Sequence, residues 1–431
     1  MEEKLAIYAH TIEGKKSAFD YYRLEVPMRG LIDLDLANAF KNEEKTPIDL
    51  AYQCTLGSDI SVFHYMCHAG SLNLFETVRD MRPNKSNGTV IYPPVIVYDL
   101  DDNIDFIHPY NPAYVTYGVR DYPKGDLLSP GDYIETILES GERVKAWEDG
   151  VTRKGIDIWD IARNLHTLKK VHDLCRAAHG VTVASPKHAS YMRDVIKQPN
   201  VHVFPNTIIP GDYDDFQLAP HDGVRILWQG GHSHLIDWYP LREAVKEVVD
   251  KYPNVTWVIF GQEFEWINSV IPKEKREHYP WVDYAAYKLK RGLLRADINL
   301  CPLADTPFNW CKSAIKWYEA SVSAINPEAT LAANVSPYKD EIVDGETGLL
   351  YSTPKEFVQK LSQLIENAEL RKKLGHAAHK WVMENRTIEQ TIPPLLEFYK
   401  ELRLIRTHQW LVEQGASSSE IKRLARQQGL R

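Results

Sequence analysis

Short apolar runs rich in branched residues alternate with segments of helical period through most of this chain. Residues 4–9, 59–63 and 94–99 read as strands, with helices over 19–31 and about 69–81 between them. Residues 159–178 have helical spacing, with Trp159, Leu165, Leu168, Val171, Leu174 and Cys175 on one face and Gly180 placed to close the helix. A strand over 181–184 leads to Ser185 as N-cap and Pro186 at the first helical position, then to a strand over 201–204. A Pro-, Gly- and Asp-rich stretch beginning at Pro205 has no periodicity. A second alternating series follows: strands at 224–228, 256–260, 297–300, 329–332 and 349–350, with helices such as 241–252 between them.

This alternation predicts an α/β protein of two Rossmann-like doubly wound halves. Residues 1–205 form the first domain, 206–223 the linker, 224–385 the second domain and 386–431 a helical C-terminal part. Residues 103–152 break the pattern and read as a functional or mobile insertion. The last part carries Leu395, Leu396, Phe398, Tyr399, Leu402 and Ile405 at helical spacing. Beyond it, 410–415 and 417–426 read as a helix pair. Its basic residues Lys422, Arg423, Arg426 and Arg431 leave open a nucleic-acid contact or docking on protein.

Length and composition bound the function. At 431 residues two domains are expected. Apolar residues make up 44% and charged residues 26%, as in soluble globular proteins. Neither a membrane span nor a signal peptide is expected. The net charge of −8 argues against a whole-surface nucleic-acid binder and leaves room for a local basic groove. Five scattered cysteines (54, 67, 175, 301, 311) fit reduced thiols and a cytoplasmic location.

The chemistry concentrates at 302–320, after the strand near 297. A helix expected over 312–324 would carry Lys312, Lys316 and Glu319 at i, i+4 and i+7, on one face. Such a face is either solvated, with a Lys316–Glu319 pair, or a grip for a nucleotide-sugar. In the second case Lys312, Ser313 and Lys316 hold the diphosphate. Glu319, about 10 Å from Lys312 along the axis, holds the ribose. Gly230 and Gly231 end a strand where backbone amides can approach a phosphate, with His232, Ser233 and His234 following. Asp99, Asp101 and Asp102 lie at the end of another strand. They read as catalytic or acceptor-contacting carboxylates, a metal site, or plain loop acidity.

The 302–320 segment resembles the donor-binding signature of GT-B glycosyltransferases. The likeness is to the family-four-like (group 1) members often encoded by tailed phages. It rests on Pro302-Leu303, Phe308-Asn309, Lys312-Ser313, Ile315-Lys316 and Glu319-Ala320. The better-known signature has two glutamates with seven residues between them. Glu319 matches the second, and the first falls on Cys311. Further motifs follow in order: Tyr22-Arg23 near Pro27, the acidic stretch 97–102, and Phe204-Pro205-Asn206, which lacks the usual aspartate soon after. Then come 228–234 with Asp237, Pro337-Tyr338, Gly345 and 348–350.

The resemblance implies two domains facing each other across a cleft, with the C-terminal helix returning to the first. It implies a glycosyltransferase that retains anomeric configuration and needs no cofactor or metal. The donor would be a nucleotide-diphosphate sugar, UDP-sugar foremost. Asp99, Asp102 and Lys316 are the expected catalytic residues. Gly230, Gly231, His232, Lys312, Ser313, Lys316 and Glu319 are expected on the donor side, and Tyr22, Arg23 and Asp101 on the acceptor side. The acceptor could be a glycan, a small molecule or modified DNA. Two rivals remain: a DNA-modifying glycosyltransferase acting on a hydroxymethylated base, and a non-catalytic sugar or nucleotide binder, which Cys311 favours. The sequence is silent on oligomeric state.

Overall fold

The computed structural model of the chain describes residues 4–11, 18–43, 45–66, 69–86, 89–120, 133–137, 143–147, 157–159, 161–213, 221–417 and 419. Strands β1 (Ala6–His10), β2 (Asn38–Lys41), β3 (Ile60–His64), β4 (Val95–Leu100), β5 (Gly180–Val183) and β6 (Val201–Val203) build one sheet. Strands β7 (Val224–Gly230), β8 (Val255–Gly261), β9 (Arg276–Tyr279), β10 (Ile298–Cys301), β11 (Ala329–Ala333) and β12 (Leu349–Tyr351) build another. The helices that matter for the sites are α1 (Val26–Asp33), α2 (Ala69–Arg79), α3 (Ile161–Ala177), α4 (Leu235–Trp238), α5 (Tyr284–Leu293), α6 (Ile315–Ser321), α7 (Ala368–Asn385) and α8 (Ile388–Glu413).

The chain divides into two compact units. The first joins Met1–Asp101, Val171–Thr207 and Ile388–Arg431; the second joins Asp102–Lys170 and Ile208–Thr387. The 103–152 stretch expected within the first domain thus groups with the second unit. Its strands Tyr133–Ile137 and Arg143–Trp147 form a three-stranded antiparallel sheet with Asp157–Trp159, which follows the stretch.

In the first unit the order is β6-β5-β4-β3-β1-β2, every pair parallel. Every residue of β3 and β4 is buried, as two-sided coverage of a parallel sheet requires. α8 packs on α1 and the sheet. A Cβ on Gly30 would lie 2.6 Å from Ile392, and one on Gly180 would lie 2.5 Å from Leu402. Gly180 therefore opens β5 beneath α8 and does not cap α3. Ser185 does cap the next helix, its hydroxyl accepting from the His188 amide at 3.4 Å.

In the second unit the order is β9-β8-β7-β10-β11-β12, again all parallel. Its core runs from Ile226 and Trp257 through Leu300 and Trp317 to Phe357 and Val382. α7 lies close to the segment after α6, since a Cβ on Gly375 would come 2.4 Å from the Pro327 carbonyl oxygen.

Three local expectations change. The helix expected over 312–324 starts only at Ile315; Lys312 and Ser313 sit in a turn whose Lys312 amide bonds the Asn309 carbonyl at 3.1 Å. Leu165, expected on the buried face of α3, is 52% exposed. Residues 410–413 continue α8 and do not start a separate helix. Cys67, Lys422, Arg423, Arg426 and Arg431 lie outside the described residues.

Candidate functional site

The sheet order of the second unit reverses between β7 and β10. In a doubly wound sheet a crevice opens at that point, outside the carboxyl ends of the strands. Gly230 and Gly231 leave β7 there, and the segment that begins at Pro302 leaves β10.

Asp237, on α4, ties these two loops together. Its buried carboxylate accepts from the Ala304 amide and from Asn309 Nδ2, both at 2.8 Å. Its other oxygen accepts from His234 Nδ1 at 2.6 Å. Lys316 Nζ then donates to His234 Nε2 at 3.0 Å. Burial, then the neighbouring Lys316, pushes the His234 pKa down to about 4. The imidazole is neutral at pH 7, with its Nδ1 proton directed to Asp237 and its Nε2 lone pair to Lys316. Burial also pushes the Lys316 ammonium down to about 8. Gly230 leaves room for this chain: a Cβ there would meet His234 Cδ2 at 2.8 Å and Lys316 Nζ at 3.2 Å.

Lys312 lies over the Phe308 ring at 4.3 Å and bonds Asp102 Oδ1 at 3.2 Å. Ser313 Oγ between the two lysines is buried without a hydrogen-bond partner. His108, from the stretch that breaks the sequence pattern, is buried edge-on to Phe308. Neither of its ring nitrogens makes a hydrogen bond, although the Ser233 backbone approaches. Burial holds His108 neutral, with a pKa of about 4. His232 occupies the turn after Gly231, yet His234 is the histidine that meets Lys316.

Glu319 is 3% exposed. It accepts from Gln229 Nε2 at 2.7 Å, from Tyr287 on α5 at 2.9 Å and from Tyr213 at 3.3 Å. Because Lys312 precedes α6, the single face of three charges expected from the sequence does not form. Each charge meets a different partner.

The acidic stretch at the end of β4 also divides. Asp99 is buried in a bidentate pair with Arg23, at 3.0 Å from Nε and 2.6 Å from Nη2, and accepts from Thr182. Arg23 also donates to the Phe204 carbonyl. These two side chains, expected at catalysis and acceptor contact, have the geometry of an internal anchor. Asp101 lies 3.5 Å from His64 Nε2, and Tyr22 is buried edge-on to Tyr21. Cys311, at the position of the missing glutamate, is buried and accepts from Asn103 Nδ2 at 3.6 Å.

Trp281 was not singled out by sequence reasoning. It is 51% exposed and lies against the glycine that follows β7 and the one that ends β8, since a Cβ would approach it at 3.5 Å from Gly231 and 3.1 Å from Gly261. Its only signal in the sequence was an aromatic in a polar turn. His108 and Asn309 likewise stood within motifs whose geometry the sequence does not give. Among the described residues no three His, Cys, Asp or Glu side chains group as a metal site.

No family model matches the chain. Glycosyltransferase 1 domain-containing protein 1 of Xenopus tropicalis is 27% identical over 206 residues, which is 44% of this chain. The chain spans 57% of the length of that curated relative. Sucrose-phosphate synthase of Thermosynechococcus elongatus is similar in structure with a TM-score of 0.55 at 11% identity, covering 92% of this chain and 98% of its own. A glycosyltransferase of Rickettsia africae gives 0.54 at 13%, covering 93% and 99%. The Anabaena protein HepE, solved with UDP-glucose, gives 0.51 at 10%, covering 91% and 98%. With the two parallel six-stranded sheets, these likenesses give the chain the GT-B fold.

Proposed function

We propose that the chain is a glycosyltransferase that moves a sugar from a nucleotide-diphosphate donor, a UDP-sugar, to a hydroxyl acceptor with retention of configuration. The observation that carries this reading is the convergence at the β7/β10 crevice of Lys312, Lys316, the unpartnered Ser313 hydroxyl and the Gly230–Gly231 backbone. As the glycosidic bond breaks, negative charge grows on the leaving diphosphate. Two ammonium groups, a hydroxyl and backbone amides placed in advance stabilise that charge. The neutral His234, oriented by Asp237, aims the Lys316 ammonium without competing for the anion.

In this reading Trp281 stacks on the nucleobase, Glu319 accepts from the ribose, and His108 donates to the sugar. Asp101 and Asp102 face the acceptor. The 27% identical relative, a glycosyltransferase-domain protein by name, and the UDP-glucose complex of HepE support the donor class. The scattered cysteines keep the cytoplasm as the compartment.

The test is a donor screen by thermal shift, followed by mass spectrometry of products on glycans and on DNA. A UDP-sugar is expected to raise the melting temperature and be consumed. Lys316→Ala is expected to weaken UDP binding by about tenfold or more. If no UDP-sugar is hydrolysed or transferred and Lys316→Ala binds UDP as tightly as the parent, the reading fails.

A further inference from the structure

A hollow of about 310 Å³ lies in the first unit among α2, α3, α8 and the loops that enter β5 and β6. Arg79, Arg176, Arg406, His179, Gln198 and Asn200 are among its polar lining, and no carboxylate of the described residues lines it. His179 precedes β5 and Asn200 precedes β6, so the hollow sits at the amino ends of these strands. Asp99 and Asp101 lie at the other end of the same parallel sheet.

Arg406 is the unusual group. Arg23, Arg225, Arg291 and Arg386 each have a carboxylate partner. Arg406, half-buried, stacks on Trp410 at 4.6 Å and among the described residues its one hydrogen bond goes to Gln409 at 3.5 Å. Its Nε is buried without a partner. Burial and the nearby Arg82 disfavour its charge, and Glu413 alone offsets them. A partly desolvated guanidinium with no carboxylate in direct contact among the described residues is disfavoured, and a bound anion offsets that cost.

The rest of the lining fits an anion too. Arg79 and Arg176 make exposed pairs with Asp80 and Asp173, which cost little to exchange for a ligand. His179 Nδ1 accepts from the Ile96 amide at 2.8 Å, which fixes the tautomer whose Nε2 carries the proton. The neutral ring can only donate from that nitrogen. Gln198 Nε2 is spent on the Cys175 and Ala178 carbonyls, at 2.7 and 3.0 Å, and holds the floor in place.

We propose that this hollow binds a small phosphorylated molecule through its phosphate or diphosphate group, with Arg406 and Arg176 as the principal ligands. Its volume is at the lower end for small-molecule sites, about 300–1,000 Å³, and suits a compact phosphate ester. The site is separate from the β7/β10 crevice and does not depend on the reaction proposed there.

Pyrophosphate is the probe, titrated by calorimetry into the full chain carrying Lys312→Ala and Lys316→Ala, so that the crevice does not contribute. Binding is expected to persist in that background and to fall about tenfold on adding Arg406→Gln or Arg176→Gln. Arg406→Gln also loses the Trp410 stack. Arg176→Gln, on the rim, keeps the test sound if the first variant fails to fold. Pyrophosphate binding that vanishes with the lysines, or that ignores both arginine changes, overturns the proposal. So does steeply salt-dependent binding of duplex DNA to this face with no binding of pyrophosphate.

Discussion

At the scale of single residues, Lys316 is the group whose protonation matters most. Burial lowers its pKa to about 8, so the cation is half titrated near that value, nearly complete a unit below it and nearly lost a unit above it. The affinity for UDP is therefore expected to be flat from about pH 6.5 to 7.5. Above about pH 8 it should fall, approaching tenfold per pH unit, because binding then requires taking up a proton. Calorimetric titration across this range checks the slope. Lys316→Arg should flatten it, since guanidinium stays charged.

Asp99 gives the second residue-scale prediction. Its carboxylate is buried against the Arg23 guanidinium, so Asp99→Asn leaves that cation unpaired. A loss of about 3–5 kcal/mol in urea unfolding is expected. A variant with parental stability but lost turnover would instead make Asp99 a reacting group.

At the scale of elements, strand-by-strand alternation was legible because both parallel sheets are buried on two faces, which writes continuous apolar runs into the sequence. The loops were less legible. Lys312, Lys316 and Glu319 were expected on one helix face, but α6 starts at Ile315, so spacing in sequence did not become spacing in space. The lysines meet Asp102 and His234, residues 210 and 82 positions away, and no local period encodes such partners. His108 and Trp281 lie near the same crevice from stretches with no periodic pattern. Gly180 was read as a helix cap because a glycine after a helical run is ambiguous. Its neighbour Leu402, far along the chain, decides that it is a point of close packing.

At the scale of the whole molecule, neither unit is a continuous stretch of chain. Ile392, Leu395, Leu396, Tyr399 and Leu402 of α8 are buried in the first unit. A chain cut after residue 387 is expected to lose amide protection across β1, β3 and β4. Hydrogen exchange read by mass spectrometry checks this, with full protection of those strands the contrary result.

The place of α8 in the chain also bears on how the protein is made. A ribosome releases β1 to β6 long before Ile388, so Gly30 and Gly180 wait without the side chains that will cover them. At about 5–20 residues per second, the stretch from Val203 to Glu413 takes roughly 10–40 s to synthesise. During that time the apolar surface meant for α8 stays open to chaperones and to neighbouring chains. The first sheet to be synthesised is thus completed only by a helix made after the whole second sheet.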